Sequence, residues 1–194
     1  LAMEVDNAVY ALDASTIDLT LSLFPWAKFR RTKGAVKLHT MIDLRGNIPA
    51  FLFITDGKVA DIKAVPQIQI EPDGIYVVDR AYVDFAWLWS LEQTGAYFVT
   101  RLKKSIKWTR VISHPVDKSI GLRSDQEILL VSRQSNAKYP DRLRKVSFRD
   151  EDQDRTLTFL TNNFSLPASK IAALYKARWE IELFFKWIKQ NLKV

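Results

Sequence analysis

The chain has 194 residues, 47% apolar and 12% aromatic, enough to bury the core of one ordinary domain and unlike the composition of a disordered segment. It has no cysteine, which excludes disulfides, thiolate chemistry and cysteine-based zinc sites, and its two histidines, His39 and His114, match no zinc spacing. The 29 Lys and Arg against 22 Asp and Glu leave a formal charge of +7, which favours a polyanionic partner, nucleic acid ahead of an acidic membrane surface.

In chain order, "NAVYALDAS" reads as a short strand that closes on Asp13. "AVKLHTMIDLRGNIPAFLFITDG" predicts two strands joined by a Gly46-Asn47 turn, a hairpin signal. A helical segment follows in "VADIKAVPQI", interrupted by Pro66. "GIYVVDRAY" is a compact apolar run of the kind that makes a buried parallel strand, and it closes on Asp79. "VDFAWLWSLEQTG" predicts a helix stopping at Gly95, and "AYFVTRL" the next strand. From 103 to 156 the texture turns polar and charged, with short β-prone pieces ("KWTRVI", "EILLVSR", "RKVSFRD"), which predicts a β-rich insertion projecting from the core. "TLTFLTNN" is a last strand, and "SLPASK" opens one long final helix.

This order predicts an α/β fold with a mixed sheet flanked by helices. Residues 1–102 form the first part of its core, 103–156 the insertion, and 157–194 the last strand and helix. No apolar run approaches the ~20 residues of a membrane span and the first residues have no signal-peptide character, so a cytoplasmic location without membrane contact is expected. A strand starts within the first dozen residues, and the chain stops at "NLKV" inside an unfinished helix, so a longer parent protein is expected.

Asp13 and Asp79 are the candidate pair of carboxylates for a site. Open α/β sheets place their sites outside the carboxyl ends of strands, and two aspartates ending adjacent buried strands can share a divalent cation. A single strand-end aspartate more often makes a turn or caps a helix, as is expected of Asp18, Asp43, Asp56 and Asp84. The final helix adds a second feature. At ~100° per residue, Tyr175, Arg178, Glu182, Lys186 and Lys189 share an arc of roughly 60° to 80°. Leu174, Ile181, Phe184, Phe185, Ile188 and Leu192 form an apolar stripe a quarter-turn away. A charged row bordering the core is where a site wall would lie. Arg178 and Glu182 also form an ordinary i,i+4 pair, and the spacing alone does not choose between the two readings.

The residues Tyr175, Arg178, Glu182 and Lys189, separated by two, three and six positions, resemble the Y-(2)-R-(3)-E-(6)-K signature of bacterial insertion-sequence transposases of the insertion-sequence-4 family. "YKARWEIELFFKWIKQNL" looks like that family's glutamate helix, "VVDRAY" is similar to its second-aspartate motif and "LDASTIDL" to its first. The resemblance spans residues 13 to 189.

It implies a ribonuclease-H-like catalytic core with Asp13, Asp79 and Glu182 as catalytic acids and ligands of Mg²⁺ or Mn²⁺, two ions in such sites. It also implies double-stranded DNA as partner, both element ends and target, and a homo-oligomer on DNA. Arg178, Lys189 and Lys186 are then expected on DNA phosphates beside Tyr175, and Arg80 joins them from the second-aspartate motif. The basic stretches "KFRRTKGAVK", with Arg30 and Arg31, and "RLKKSIKWTR", with Lys103 and Lys104, are further candidates for the DNA backbone. Trp108 either packs or stacks on an unpaired base; the other tryptophans read as packing residues. A metal-dependent nuclease that never joins strands and a non-catalytic DNA-binding remnant remain as alternatives to a cut-and-paste transposase.

Overall fold

Among the residues that the computed structural model describes, 5–191 without 21, 23, 31, 32 and 152, ten strands pair into one mixed sheet. The first half of the chain supplies β1 (Val9–Leu19), β2 (Lys28–Arg30), β3 (Lys33–Asp43), β4 (Ile48–Asp56), β5 (Ile75–Val78), α1 (Phe85–Gln93) and β6 (Tyr97–Arg101). The second half supplies β7 (Trp108–His114), β8 (Leu122–Leu130), α2 (Arg133–Lys138), β9 (Leu143–Asp150), β10 (Arg155–Thr161), α3 (Ala168–Ala177) and α4 (Trp179–Asn191). The sheet order is β2-β3-β1-β5-β6-β10-β9-β8-β7, with β4 also paired to β3. β1 runs parallel to β5 and β5 to β6, while the remaining pairs are antiparallel.

Alternation decides which layer each side chain joins. Val9, Ala11, Ile75, Val77 and Val99 face a cluster closed by Ile171, Leu174, Tyr175, Ile181 and Phe185 of α3 and α4. Tyr10, Leu12, Tyr76, Val78 and Phe98 face the opposite cluster, closed by Trp87, Leu88 and Leu91 of α1. All four residues of β5 are buried, as expected of a central parallel strand covered on both faces. Gly95, at φ +79°, ends the turn after α1, and Asn47, at φ 53°, takes the left-handed position of the β3–β4 hairpin.

Three expectations need correction. Asp13 does not end its strand, because β1 runs on to Leu19 against β3. What ends is the partner: the last β1–β5 pair is Leu12 with Val78, so Asp13 and Asp79 both follow directly on that pair. The final helix is not continuous, since α3 stops at Ala177 and α4 restarts at Trp179. And β7, β8 and β9 do not project from the core; β9 pairs with β10 and prolongs the same sheet, because β10 offers both edges.

A buried ion pair ties that extension to the helix layer. Arg144 of β9 grips Asp125 of β8 through Nε and Nη2 at 2.8 and 2.7 Å, and its Nη1 donates to the carbonyls of Asn163 and Leu166, just ahead of α3. Arg144→Ala leaves a buried carboxylate without its cation and two carbonyls without this donor. The expected result is a loss of about 3–5 kcal/mol in urea unfolding. A loss below about 1 kcal/mol would mean that water replaces the guanidinium without penalty.

Candidate active site

Val9, Ala11 and Asp13 share one face of β1, and Ile75, Val77 and Asp79 share the same face across the register, so both carboxylates look toward the layer of α3 and α4. Because β1 continues beyond β5, its outer half gives α4 a floor. Ile17, Ala27 and Val36 form a small cluster there, and Ile188 of α4 packs onto it. This seating brings Glu182 over Asp13. The two acids line a cleft of about 450 Å³ together with Ala14, Ser15, Phe185, Lys186, Lys189 and Gln190.

Arg178 connects the acids. Its Nη1 donates to Asp13 Oδ2 at 2.8 Å and its Nη2 donates to Glu182 Oε1. The side chain is only 13% exposed, and its carbon Cζ lies 5.6 Å from the centre of the Tyr175 ring. The Tyr175 hydroxyl in turn donates to Asp79 Oδ1 at 3.4 Å. One arginine and one tyrosine thus link three carboxylates drawn from β1, the end of β5 and α4. Burial pushes the Asp13 carboxyl above the ordinary range, and Asp79 and Glu182 add to this against the Ala14 amide and Arg178. Burial likewise raises the Tyr175 hydroxyl, with Arg178 and Arg101 opposing and Asp79 reinforcing.

Hard carboxylate oxygens suit Mg²⁺ or Mn²⁺. The guanidinium is a natural gauge of fit here: Asp13 and Glu182 already hold one cationic group between them. Among the described residues no three His, Asp or Glu side chains form a ready-made metal cluster.

The expected DNA-contact residues divide. Lys186 and Lys189 stand exposed on α4 in the cleft wall, while Tyr175 and Arg178 are turned inward onto the acids. Arg80 is exposed immediately after Asp79, in a single turn of 3-10 helix over Arg80–Tyr82. Lys103 and Lys104 follow β6, at the same end of the sheet as Asp79 because β5 and β6 are parallel. Arg30 is exposed on β2 and does not line the cleft, and Arg31 lies outside the described residues. Lys37, in the first basic stretch, is committed elsewhere, bonding Asp61 at 2.9 Å and the Val59 carbonyl at 2.6 Å.

Sequence reasoning missed Ser15 and Gln190 in the cleft and the position of Arg101 beside Tyr175. Alternation carried the signal for two of them: Ser15 follows Asp13 by two, and Arg101 follows Tyr97 and Val99. His39 is buried with Nε2 2.9 Å from Thr55 Oγ1. The expectation that the tryptophans pack fails for Trp26, Trp179 and Trp187, which are 70%, 57% and 62% exposed. Trp179 and Trp187 point away from the sheet because Ile181 and Phe185 take the inward positions of α4.

The family described as the transposase DDE domain matches residues 6–194. A protein of Sinorhizobium fredii named as a transposase is 35% identical over 94% of this chain and 52% of its own length. A protein of Geobacillus stearothermophilus named as the transposase for insertion sequence element IS5377 is 29% identical over 94% of this chain and 48% of its own. The chain therefore spans about half the length of these relatives. Among solved structures it is similar to a piggyBac transposase synaptic complex with hairpin DNA, at TM-score 0.54 and 9% identity over 95% of this chain and 41% of that one. That likeness concerns the fold, and it bears out the ribonuclease-H-like mixed sheet.

Proposed function

The chain belongs to the transposase DDE domain family, and we propose that it is the catalytic domain of a cut-and-paste insertion-sequence transposase that cleaves DNA phosphodiesters and transfers the freed strand. Asp13, Asp79 and Glu182 are its acids. The observation that carries this reading is the convergence of Asp13 and Glu182, 169 positions apart in sequence, on one half-buried cationic group. A solvated i,i+4 pair of Arg178 and Glu182 would not recruit a second, distant carboxylate.

Those three acids are the residues that would hold Mg²⁺ or Mn²⁺. When bound, the ions supply activation of a water or 3′-hydroxyl and stabilisation of the leaving oxygen. The chain's own residues do the rest. Lys186 and Lys189 hold the phosphate backbone along α4, joined by Arg80, Lys103 and Lys104 at the carboxyl end of the sheet. Tyr175 fixes Asp79 through its hydroxyl, and Phe185 supplies an apolar wall beside Glu182. We assign the Tyr175, Arg178, Glu182 and Lys189 set to the insertion-sequence-4 type of signature. We also take 103–156 as the insertion unit, between 1–102 and 157–194, and expect pairing of subunits on DNA in the cytoplasm. No helix among the described residues is long and apolar enough to cross a membrane.

DNA affinity should be governed by phosphates. With about five Lys and Arg contacts, the slope of log Kobs against log salt should lie near −4.5, with little difference between element-end and scrambled duplexes. Fluorescence anisotropy at several salt concentrations measures both. A slope shallower than about −1 would remove the phosphate-contact assignment, and a large preference for element ends would place end recognition within these residues.

A further inference from the structure

We infer that Arg178 is an internal cation that holds the carboxylate site until DNA draws it away, so that divalent cation and DNA load together. The inference rests on the proposed roles of Asp13, Asp79 and Glu182, and adds to them a competitor built into the chain. Four observations carry it.

The first is position. The guanidinium takes up oxygens of Asp13 and Glu182 at once, and its Tyr175 neighbour bonds Asp79, so it sits between two of the acids and one side chain away from the third. A divalent ion gripped by Asp13 and Glu182 would sit against the guanidinium charge and compete for the oxygens it already holds. Its binding is therefore weakened while Arg178 stays in place.

The second is incomplete satisfaction. Arg178 Nε is buried and has no hydrogen-bond partner among the described residues. A fully housed structural arginine normally has its donors met. Its hydrogen bonds go to the two acids, the groups a divalent ion would claim, and the Tyr175 ring lies beside it.

The third is a joint in the backbone at this residue. α3 ends at Ala177, and Arg178 lies between the helices with its amide bonded to the Tyr175 carbonyl at 3.3 Å. Its own carbonyl accepts from the Ile181 amide at 3.2 Å, a three-residue spacing. A 3-10 step inside a helical run often marks a hinge.

The fourth is a destination. The cleft beside the guanidinium carries the exposed ammonium groups of Lys186 and Lys189, which attract a polyanion. Phosphate matches the planar fork of an arginine as well as carboxylate does. A duplex seated on these lysines offers Arg178 a new anion and frees Asp13 and Glu182. By linkage the effect is reciprocal: DNA tightens cation binding, and cation tightens DNA binding.

Titration calorimetry with Mn²⁺ tests this on the chain alone and with a short duplex of arbitrary sequence. Without DNA, Arg178→Gln should bind Mn²⁺ roughly tenfold or more tightly than the parent, the counterpart of losing one charge-assisted competitor. The duplex should tighten Mn²⁺ binding by the parent and not by Arg178→Gln. Equal or weaker Mn²⁺ binding by Arg178→Gln, with the parent still binding, overturns the inference and leaves the three acids in place as ligands. Failure of both proteins to bind Mn²⁺, with or without the duplex, removes the ligand assignment and the inference with it. If circular dichroism shows Arg178→Gln unfolded, Arg178→Lys decides: its single ammonium cannot span both acids as a fork does, so it should bind Mn²⁺ more tightly than the parent. Unchanged affinity in that variant overturns the inference.

Discussion

Glu182→Gln should abolish Mg²⁺-dependent DNA cleavage, while Glu180→Gln, two residues away, should leave it within a few-fold. The two glutamates are chemically identical and differ in address. Glu182 lines the cleft with Asp13, Lys186 and Lys189 and bonds Arg178; Glu180 is exposed on the outer side of α4. Glutamine retains an acceptor oxygen for Arg178, so the fold should survive the swap. What disappears is the negative charge that, on the proposed assignment, would hold a cation against phosphate oxygens. A loss on the order of a thousandfold or more in rate, ~4 kcal/mol of barrier, is expected from it. At an exposed position the swap is expected to cost less than about 0.5 kcal/mol in stability. Nicking of supercoiled DNA with and without Mg²⁺ measures the rates, in a form as long as the relatives if this chain alone does not nick. Equal damage from both swaps would show that the wrong face of α4 has been assigned. Full activity in Glu182→Gln would take Glu182 out of the catalytic set.

Asp79→Asn should be nearly silent in stability and equally destructive to cleavage. Asp79 stands at the start of the 3-10 turn over Arg80–Tyr82, where an aspartate ordinarily caps, yet its side chain accepts no capping hydrogen bond. Its carboxylate receives the Tyr175 hydroxyl at 3.4 Å, a contact that an amide oxygen can also accept. Asp84, five residues on, behaves oppositely: its Oδ1 accepts from the Ala86 and Trp87 amides and caps α1. Asp84→Ala should therefore cost about 1 kcal/mol in urea unfolding and leave cleavage intact. Asp79→Asn should cost less than about 0.5 kcal/mol and lower cleavage on the order of a thousandfold, with weakened Mn²⁺ binding in calorimetry. The pair separates an aspartate kept for the fold from one kept for chemistry. A destabilised but active Asp79→Asn would exchange the two roles and end the assignment.

The sequence by itself determined what local periodicity encodes. The two-residue alternation around Asn47 gave the β3–β4 hairpin, the run "IYVV" gave a strand buried on both faces, and Gly95 marked the stop after α1. Helical spacing put Tyr175, Arg178 and Glu182 in one row beside an apolar stripe, and Leu174, Ile181 and Phe185 of that stripe are buried.

Tertiary structure decided everything that depends on a partner. Spacing paired Arg178 with Glu182, but only the seating of α4 on the extended half of β1 could bring it to Asp13, 165 residues earlier. The length of β1 follows from β3, which pairs with it as far as Leu19, and the crevice at Asp13 follows from β5 stopping at Val78. The interruption at Arg178 also escaped the periodicity. Its residue types are good helix formers, and nothing local signals a break where a side chain is held by a distant strand. Trp179 and Trp187 show the same limit from the other side. Hydrophobicity ranks a residue for burial, but a helix has only one face against the sheet, and Ile181 and Phe185 fill it. Periodicity names the face a residue occupies; what lies opposite that face is settled by the packing of elements far apart in the chain.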